Sequence, residues 1–361
     1  MSTVLYLFVA LIALSVLVFF HELGHYTAAK FFGVTIERFS IGFGKILARK
    51  NCCNTEWVFS AIPLGGYVKM KGQDDADPLA QSTDKDSYNT QAPWQRIIIL
   101  LAGPLANLVL AFFVYLHIAF YGAPVSVALD YVDPIVGAVS ADSPAHKAGL
   151  AQGDRILTIN NAPIQYWYEI GQAIQASPDP IRLTIQRGNV RESLSLSTQM
   201  VEGQNAYLEK TQRRIIGISP KADINATIDF TPTQMLFYAW NETKKATTLI
   251  ATGVKKMGTG EVSHKQVGGA ITIFDIIMKF ASHGLMYLLF IMALISVNLG
   301  VLNLLPIPAL DGGHIMFNLY EIITRRAPSE NALYFLTLLG WALLLGLMFL
   351  GLYNDVVRLS H

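Results

Sequence analysis

Apolar residues in this chain gather into long unbroken runs instead of recurring at the helical or strand period of a soluble domain. Four windows, residues 3–20, 97–121, 280–310 and 331–354, contain no Asp, Glu, Lys or Arg. At about 1.5 Å of rise per residue, each is about long enough to cross a hydrocarbon core of roughly 30 Å as a helix. The pattern predicts four transmembrane helices. Between them the texture changes. Residues 38–43 and 56–62 read as short strands, followed by the turn-forming Pro63-Leu64-Gly65-Gly66. Residues 74–90 are polar and acidic and read as a mobile loop. From about residue 126 to 200, short β-rich stretches alternate with Gly turns and one helical stretch, residues 167–176. One small α+β domain outside the bilayer fits there. Residues 233–256 read as an amphipathic helix, with Trp240, Leu249, Ile250 and Val254 on one side and Lys244, Lys245, Lys255 and Lys256 elsewhere. Such a helix lies either along the membrane surface or against the soluble domain.

These readings divide the chain into a first transmembrane helix (1–38), β elements and a loop (39–92), a second helix (93–121), the outer domain (126–200), a linker with the amphipathic helix (201–279), a third helix with the motif that follows it (280–320), and a fourth (331–354). The expected fold is a membrane protein, mainly α, with four spans, a membrane-associated β-hairpin region and one α+β domain.

Composition agrees with a membrane setting. Hydrophobic residues make up 52% of the 361 and charged residues 15%, against about a quarter in soluble domains; mean hydropathy is +0.38. A net charge of +1 without a basic run excludes a nucleic-acid binder. The first window lacks a basic leader and a small-residue cleavage site, so it reads as a retained span. Lys30, Arg38, Lys45, Arg49 and Lys50 follow span one, Arg96 precedes span two, and Arg325 and Arg326 separate spans three and four. These loops are expected to be cytoplasmic, with both termini and the small domain on the opposite side. The two cysteines, Cys52 and Cys53, are adjacent and lack zinc-knuckle spacing; they read as reduced thiols.

The chemistry starts at His21-Glu22-Leu23-Gly24-His25, an H-E-x-x-H pattern. Positions four apart on a helix differ by about 40° around its axis, so the two imidazoles share a face and can share a Zn²⁺. Glu22 is placed to take a proton from water at that metal. Ionisable residues in a membrane span cost a few kcal/mol, so here the motif reads as functional. A catalytic zinc needs a third ligand, and residues 303–314 (Asn303-Leu304-Leu305-Pro306-Ile307-Pro308-Ala309-Leu310-Asp311-Gly312-Gly313-His314) supply the candidates. Two prolines end the helix near Leu305, and two glycines let the chain turn sharply. Asp311 is the natural oxygen ligand, with a helix N-cap as its alternative role. His314 is a rival ligand or a supporting residue. Asn303 either hydrogen-bonds the substrate carbonyl or its oxyanion, or joins two helices.

Together, His21-Glu22-Leu23-Gly24-His25 and Asn303-x-x-Pro306-x-Pro308-x-Leu310-Asp311-Gly312 resemble the site-2 protease family of intramembrane zinc metalloproteases. Residues 62–70, Gly103-Pro104-Leu105-Ala106-Asn107 and residues 294–300 resemble its bacterial branch, so the likeness covers nearly the whole chain. The resemblance implies one zinc held by His21, His25 and Asp311, Glu22 as general base, and Asn303 at the substrate or transition state. It implies that Gly42, Phe43 and Gly44, with the neighbouring strands, and Pro306 and Pro308 contact an extended substrate. The outer domain resembles a PDZ domain, with Ile135, Val136 and Gly137 in its peptide-carboxylate loop and residues 148–156 as its signature. The nearest members of that bacterial branch usually carry two such domains in tandem, and one copy is visible here. The implied setting is a bacterial inner membrane, with the PDZ-like domain periplasmic and the active site toward the cytoplasm. The implied partners are single-span membrane proteins, namely an anti-sigma factor already cut on its outer side and remnant signal peptides, in regulated intramembrane proteolysis. Two other classes remain open: a catalytically silent membrane-anchored PDZ scaffold, which has no need of Glu22, and a zinc transporter.

Overall fold

The computed structural model describes residues 3–73, 82–207, 209–263 and 268–360. It forms two compact units, one built from Met1–His117 and Leu236–His361, the other from Ile118–Met235.

The first unit opens with helix α1, Thr3–Phe31. It continues past the charge-free window because residues 26–30 are compatible with helix, and it stops at Gly33, whose φ of 79° few side chains tolerate. The His-Glu motif therefore lies within the helix. Strands β1 (Ile36–Cys52) and β2 (Thr55–Met70) follow, far longer than the predicted strands. They are joined at Cys53 and Asn54, both with positive φ (54° and 56°), the geometry that suits a two-residue hairpin. Both strands bend, β1 at Gly42 and Gly44 and β2 near Gly65. As a result residues 38–41 are flanked on one side by residues 56–59 and on the other by residues 66–69.

Of the predicted mobile loop, residues 74–81 lie outside the described residues. Residues 82–90 are held rather than mobile. The Thr35 hydroxyl and the Lys71 ammonium donate to Asp86 at 2.7 and 2.9 Å, and Tyr88 is buried beside Val34, Ile36 and Met70. Polar composition misled here because these side chains satisfy groups of the neighbouring hairpin.

Helix α2, Pro93–Tyr121, starts with proline at its first position, where no N–H is needed. It crosses α1 closely: a Cβ on Gly24 would collide with the Ala102 carbonyl oxygen.

The second unit runs through β3 (Ala123–Pro124), β4 (Val136–Val139), α3 (Pro144–Lys147), β5 (Arg155–Ile159), β6 (Ala162–Pro163), α4 (Trp167–Ala176), β7 (Ile181–Arg187), β8 (Val190–Leu196), β9 (Gln199–Gln204), β10 (Lys210–Ile215), β11 (Ile218–Pro220) and β12 (Thr227–Ile228). Its central sheet has the order β6-β5-β7-β8. In β7, Ile181, Leu183 and Ile185 are fully buried and alternate with polar residues, as a half-buried strand requires. Each such side chain contributes about 1.5–3 kcal/mol on burial. Asp154 is almost completely buried. Burial alone would push its carboxyl up, but the Arg187 guanidinium (2.8 and 2.7 Å) and the Ala151 N–H (2.8 Å) hold it below the ordinary carboxylate range. The unit extends beyond the predicted 126–200 because β11 returns to pair with β4 and β12 with β3. The start of the expected linker, through β12, thus belongs to this unit.

Helix α5 (Pro232–Gly258) buries Tyr238, Ala239, Glu242 and Ala246, and within the first unit Tyr238 meets Tyr115 of α2 edge to face. The charge-free window at 280–310 divides. Helices α6 (Ala270–His283) and α7 (Leu285–Asn303) are separated at Gly284, where φ is 124°. Helix α8 (Asp311–Thr324) precedes α9 (Glu330–Leu359), whose buried Asp355 caps α6 by accepting from the Gly269 and Thr272 N–H groups. Among the described residues, α1, α2, α7 and α9 are long and apolar enough to cross a membrane.

Candidate metal centre

Helix α1 presents His21 and His25 one turn apart, with ring centroids 4.8 Å apart. The third group arrives from the distant C-terminal half. Helix α7 stops at Asn303, as the prolines require, and the following loop leads into α8, whose first residue is Asp311. The sharp turn falls at Ala309, which carries a φ of 83°, and not at the glycines. Gly312 and Gly313 are helical and buried instead. A Cβ on either would strike loop backbone, Leu305 O for Gly312 and Ile307 O for Gly313.

Asp311 Oδ2 lies 3.3 Å from His21 Nε2 and 3.5 Å from His25 Nε2, and the two Nε2 atoms are 3.2 Å apart. Ligands 2.0–2.1 Å from a tetrahedral zinc are separated by about 3.3–3.4 Å. The three atoms therefore already stand at the edge lengths of such a site, and the donor set, two imidazoles and a carboxylate, suits zinc. Asp311 Oδ2 is also buried, and its polar neighbours are the two imidazole nitrogens, the arrangement a shared cation would need.

Supporting contacts fix the rings. The Nδ1 of His25 lies 2.8 Å from the Ile99 carbonyl of α2, so Nδ1–H donates there and Nε2 keeps its lone pair. The Nδ1 of His21 faces the Asn107 amide of α2 at 3.2 Å. Asn303 approaches from the metal side, with Nδ2 3.2 Å from His21 Nε2. Gly103 leaves room for His25: a Cβ there would overlap the imidazole at Nε2.

His21, Glu22, His25, Asp311 and His314 line one cavity of about 130 Å³, together with Gly66, Tyr67, Val68 and Met70 of β2. His314 shares the cavity but stands outside the three-atom cluster, its ring edge-on to Phe317. Gly42, Phe43 and Gly44 are not among the lining residues. They form the bend of β1, and Phe43 stacks on Tyr67, which does line the cavity. Pro306 and Pro308 also lie off the lining; the Pro308 carbonyl packs where Gly340 of α9 has no side chain. In the second unit, both edges of β4 are occupied. β11 pairs along one edge, while Val136 exchanges hydrogen bonds with Asp154 and Gly153 on the other, so Ile135 and Val136 are already paired within the sheet.

Sequence reasoning missed the Ile99 carbonyl, Asn107 and Gly103 as parts of the site. Asn107 carried a signal: it is a polar side chain in an otherwise charge-free span, four residues after Gly103 on the same helix face.

Two imidazoles and a carboxylate around an open cavity, with a glutamate beside one ligand and helices of membrane length around them, define a multi-pass membrane metallohydrolase. Comparison with known families agrees: the model of peptidase family M50 matches residues 9–347, and the chain belongs to that family. It is 42% identical to the "Putative zinc metalloprotease Cj1068" of Campylobacter jejuni, over 96% of this chain and 92% of the relative. It is 36% identical to a "Putative zinc metalloprotease" of Helicobacter pylori, over 97% of this chain and 99% of the relative. Against the "Putative zinc metalloprotease CA_C1796" of Clostridium acetobutylicum the identity is 34%, over 97% and 96%. The protein is a zinc metalloprotease, and zinc is its cofactor.

Proposed function

We propose that this protein is an intramembrane protease that cuts single-span membrane proteins in or beside the bilayer, with zinc held by His21, His25 and Asp311. The carrying observation is the near-equilateral set of three ligand atoms, 3.2–3.5 Å apart, in a cavity that also holds Glu22. Bound zinc supplies Lewis-acid polarisation of the scissile carbonyl and lowers the pKa of water it holds toward about 7. Glu22, in the same cavity, is placed to take a proton from the attacking water and to return it to the leaving amine. The Asn303 amide donates to the carbonyl oxygen as negative charge develops there.

A helical peptide bond is shielded by its own helix, so the substrate must be extended at the site. Gly66, Tyr67, Val68 and Met70 of β2 line the cavity, and this stretch is suited to pair with such a segment, satisfying its freed backbone groups. Gly42, Phe43 and Gly44 hold this edge in place through the Phe43–Tyr67 stack, and Pro306 and Pro308 bound the substrate farther along. The second unit is a PDZ-like domain that screens substrates; its buried Asp154 fixes the Gly-Asp turn of the signature. With Ile135, Val136 and Gly137 inside the sheet, exclusion of bulky substrates is favoured over capture of a peptide there. The basic loops support a site toward the cytoplasm of a bacterial inner membrane, with the second unit proposed to be periplasmic. The proposed substrates are an anti-sigma factor already trimmed outside, and remnant signal peptides.

The test is incubation of the purified protein in detergent or proteoliposomes with a single-span substrate, with and without a zinc chelator. Cleavage is expected to stop on chelation and to return with added zinc. Cleavage indifferent to chelation, or zinc flux without any cleavage, would contradict the proposal.

A further inference from the structure

We propose that Asn107 is a positioning residue that holds His21 in its metal-binding tautomer. This rests on the zinc-site reading above and adds to it a residue on a third helix. Zinc bound at Nε2 requires the ring proton on Nδ1, and that proton needs an acceptor because the His21 ring is buried. For His25 the acceptor is the Ile99 carbonyl. For His21, among the described residues, the group at hydrogen-bonding distance from Nδ1 is the Asn107 amide, at 3.2 Å.

Asn107 is fully buried, and its backbone is pinned because its carbonyl accepts from the Ser296 hydroxyl of α7 at 2.8 Å. Its side chain is not pinned: Oδ1 is buried with no partner, so the amide can turn over without breaking any hydrogen bond except the one to His21. With Nδ2 toward the ring, Asn107 donates to Nδ1, and His21 carries its proton on Nε2, 3.3 Å from Asp311 Oδ2. With Oδ1 toward the ring, the amide accepts from Nδ1–H and frees the Nε2 lone pair. An amide serves both states; an alkyl group of that reach serves neither. Helix α2 thus orients both histidines, one through its backbone and one through a side chain.

The experiment measures zinc affinity by chelator competition, the cobalt(II) absorption spectrum, and the thermal midpoint of the metal-free protein. Asn107→Leu keeps the branched skeleton and removes the acceptor; Asn107→Asp restores an acceptor. Asn107→Leu is expected to weaken zinc binding by about 10–100-fold and to alter the cobalt spectrum, while Asn107→Asp stays within about threefold of the unchanged chain or binds more tightly. The metal-free thermal midpoints of the two variants are expected to be alike. If both folded variants bind zinc as the unchanged chain does, the role of Asn107 is refuted and the zinc site stands. If the unchanged chain binds no zinc, the zinc-site reading itself fails. Equal loss of zinc in both variants, with lowered metal-free midpoints, would mark Asn107 as structural only and overturn the proposal. Where Asn107→Leu does not fold, Asn107→Ala takes its place. Where neither folds, Asn107→Asp decides: retained zinc and an unaltered cobalt spectrum support the role, and lost zinc refutes it.

Discussion

Glu22→Gln is expected to reduce cleavage of a single-span substrate by about 10²–10⁴-fold while leaving zinc stoichiometry and affinity unchanged. That range is what one positioned proton carrier contributes. Gln has the shape of Glu and can still hydrogen-bond water, but it cannot accept the proton that the attacking water must lose. Glu22 lies in the cavity without belonging to the three-atom cluster, so its loss should not release the metal. Single-turnover cleavage and metal analysis on one preparation check both halves. Wild-type cleavage by Glu22→Gln would remove Glu22 from the chemistry, and loss of zinc would make it a ligand instead.

Gly103→Ala is expected to weaken zinc binding by at least about 100-fold, although Gly103 touches neither metal nor substrate. The added methyl would overlap the His25 ring, with Nε2 the nearest atom. His25 cannot retreat freely, because its Nδ1 is tied to the Ile99 carbonyl one turn earlier on the same helix. The ring must swing, and a ligand held off its productive orientation loses affinity on this scale. Zinc affinity by competition, read against the metal-free thermal midpoint, is the check. Unaltered affinity in a folded Gly103→Ala protein would show that α2 stands farther from α1 than described.

Much of this site is readable from the sequence because its chemistry is dense in two short stretches. The helical period alone puts His21 and His25 on one face, and the loss of charge around them marks the motif as functional. Pro306 and Pro308 end α7 where expected, and the four spans follow from length and composition. Whatever depends on contact between distant segments is less readable. The turn next to Asp311 falls at Ala309, because tertiary packing needs the glycines for close approach. Asn303, which spacing left between two roles, lies 3.2 Å from His21 Nε2. The strands at residues 38–43 and 56–62 grew into a long bent hairpin because glycine bends let a strand change direction without ending, which a periodicity reading takes for loop. The pairing of β4 with β11, from some 80 residues away in sequence, is likewise not readable from the local pattern around Ile135, Val136 and Gly137.

The central claim is that zinc sits where the first and third membrane-length helices bring their motifs together. Zinc K-edge X-ray absorption on the loaded protein tests it most directly, comparing the unchanged chain with Asp311→Ala. The expected first shell has nitrogen and oxygen at about 2.0–2.2 Å, with outer-shell scattering from two imidazoles, and it loses one oxygen in Asp311→Ala. Sulfur at about 2.3 Å would instead place the metal at Cys52 and Cys53, whose Sγ atoms lie 3.4 Å apart on the exposed hairpin turn. That result, or a shell indifferent to Asp311→Ala, would contradict the assignment.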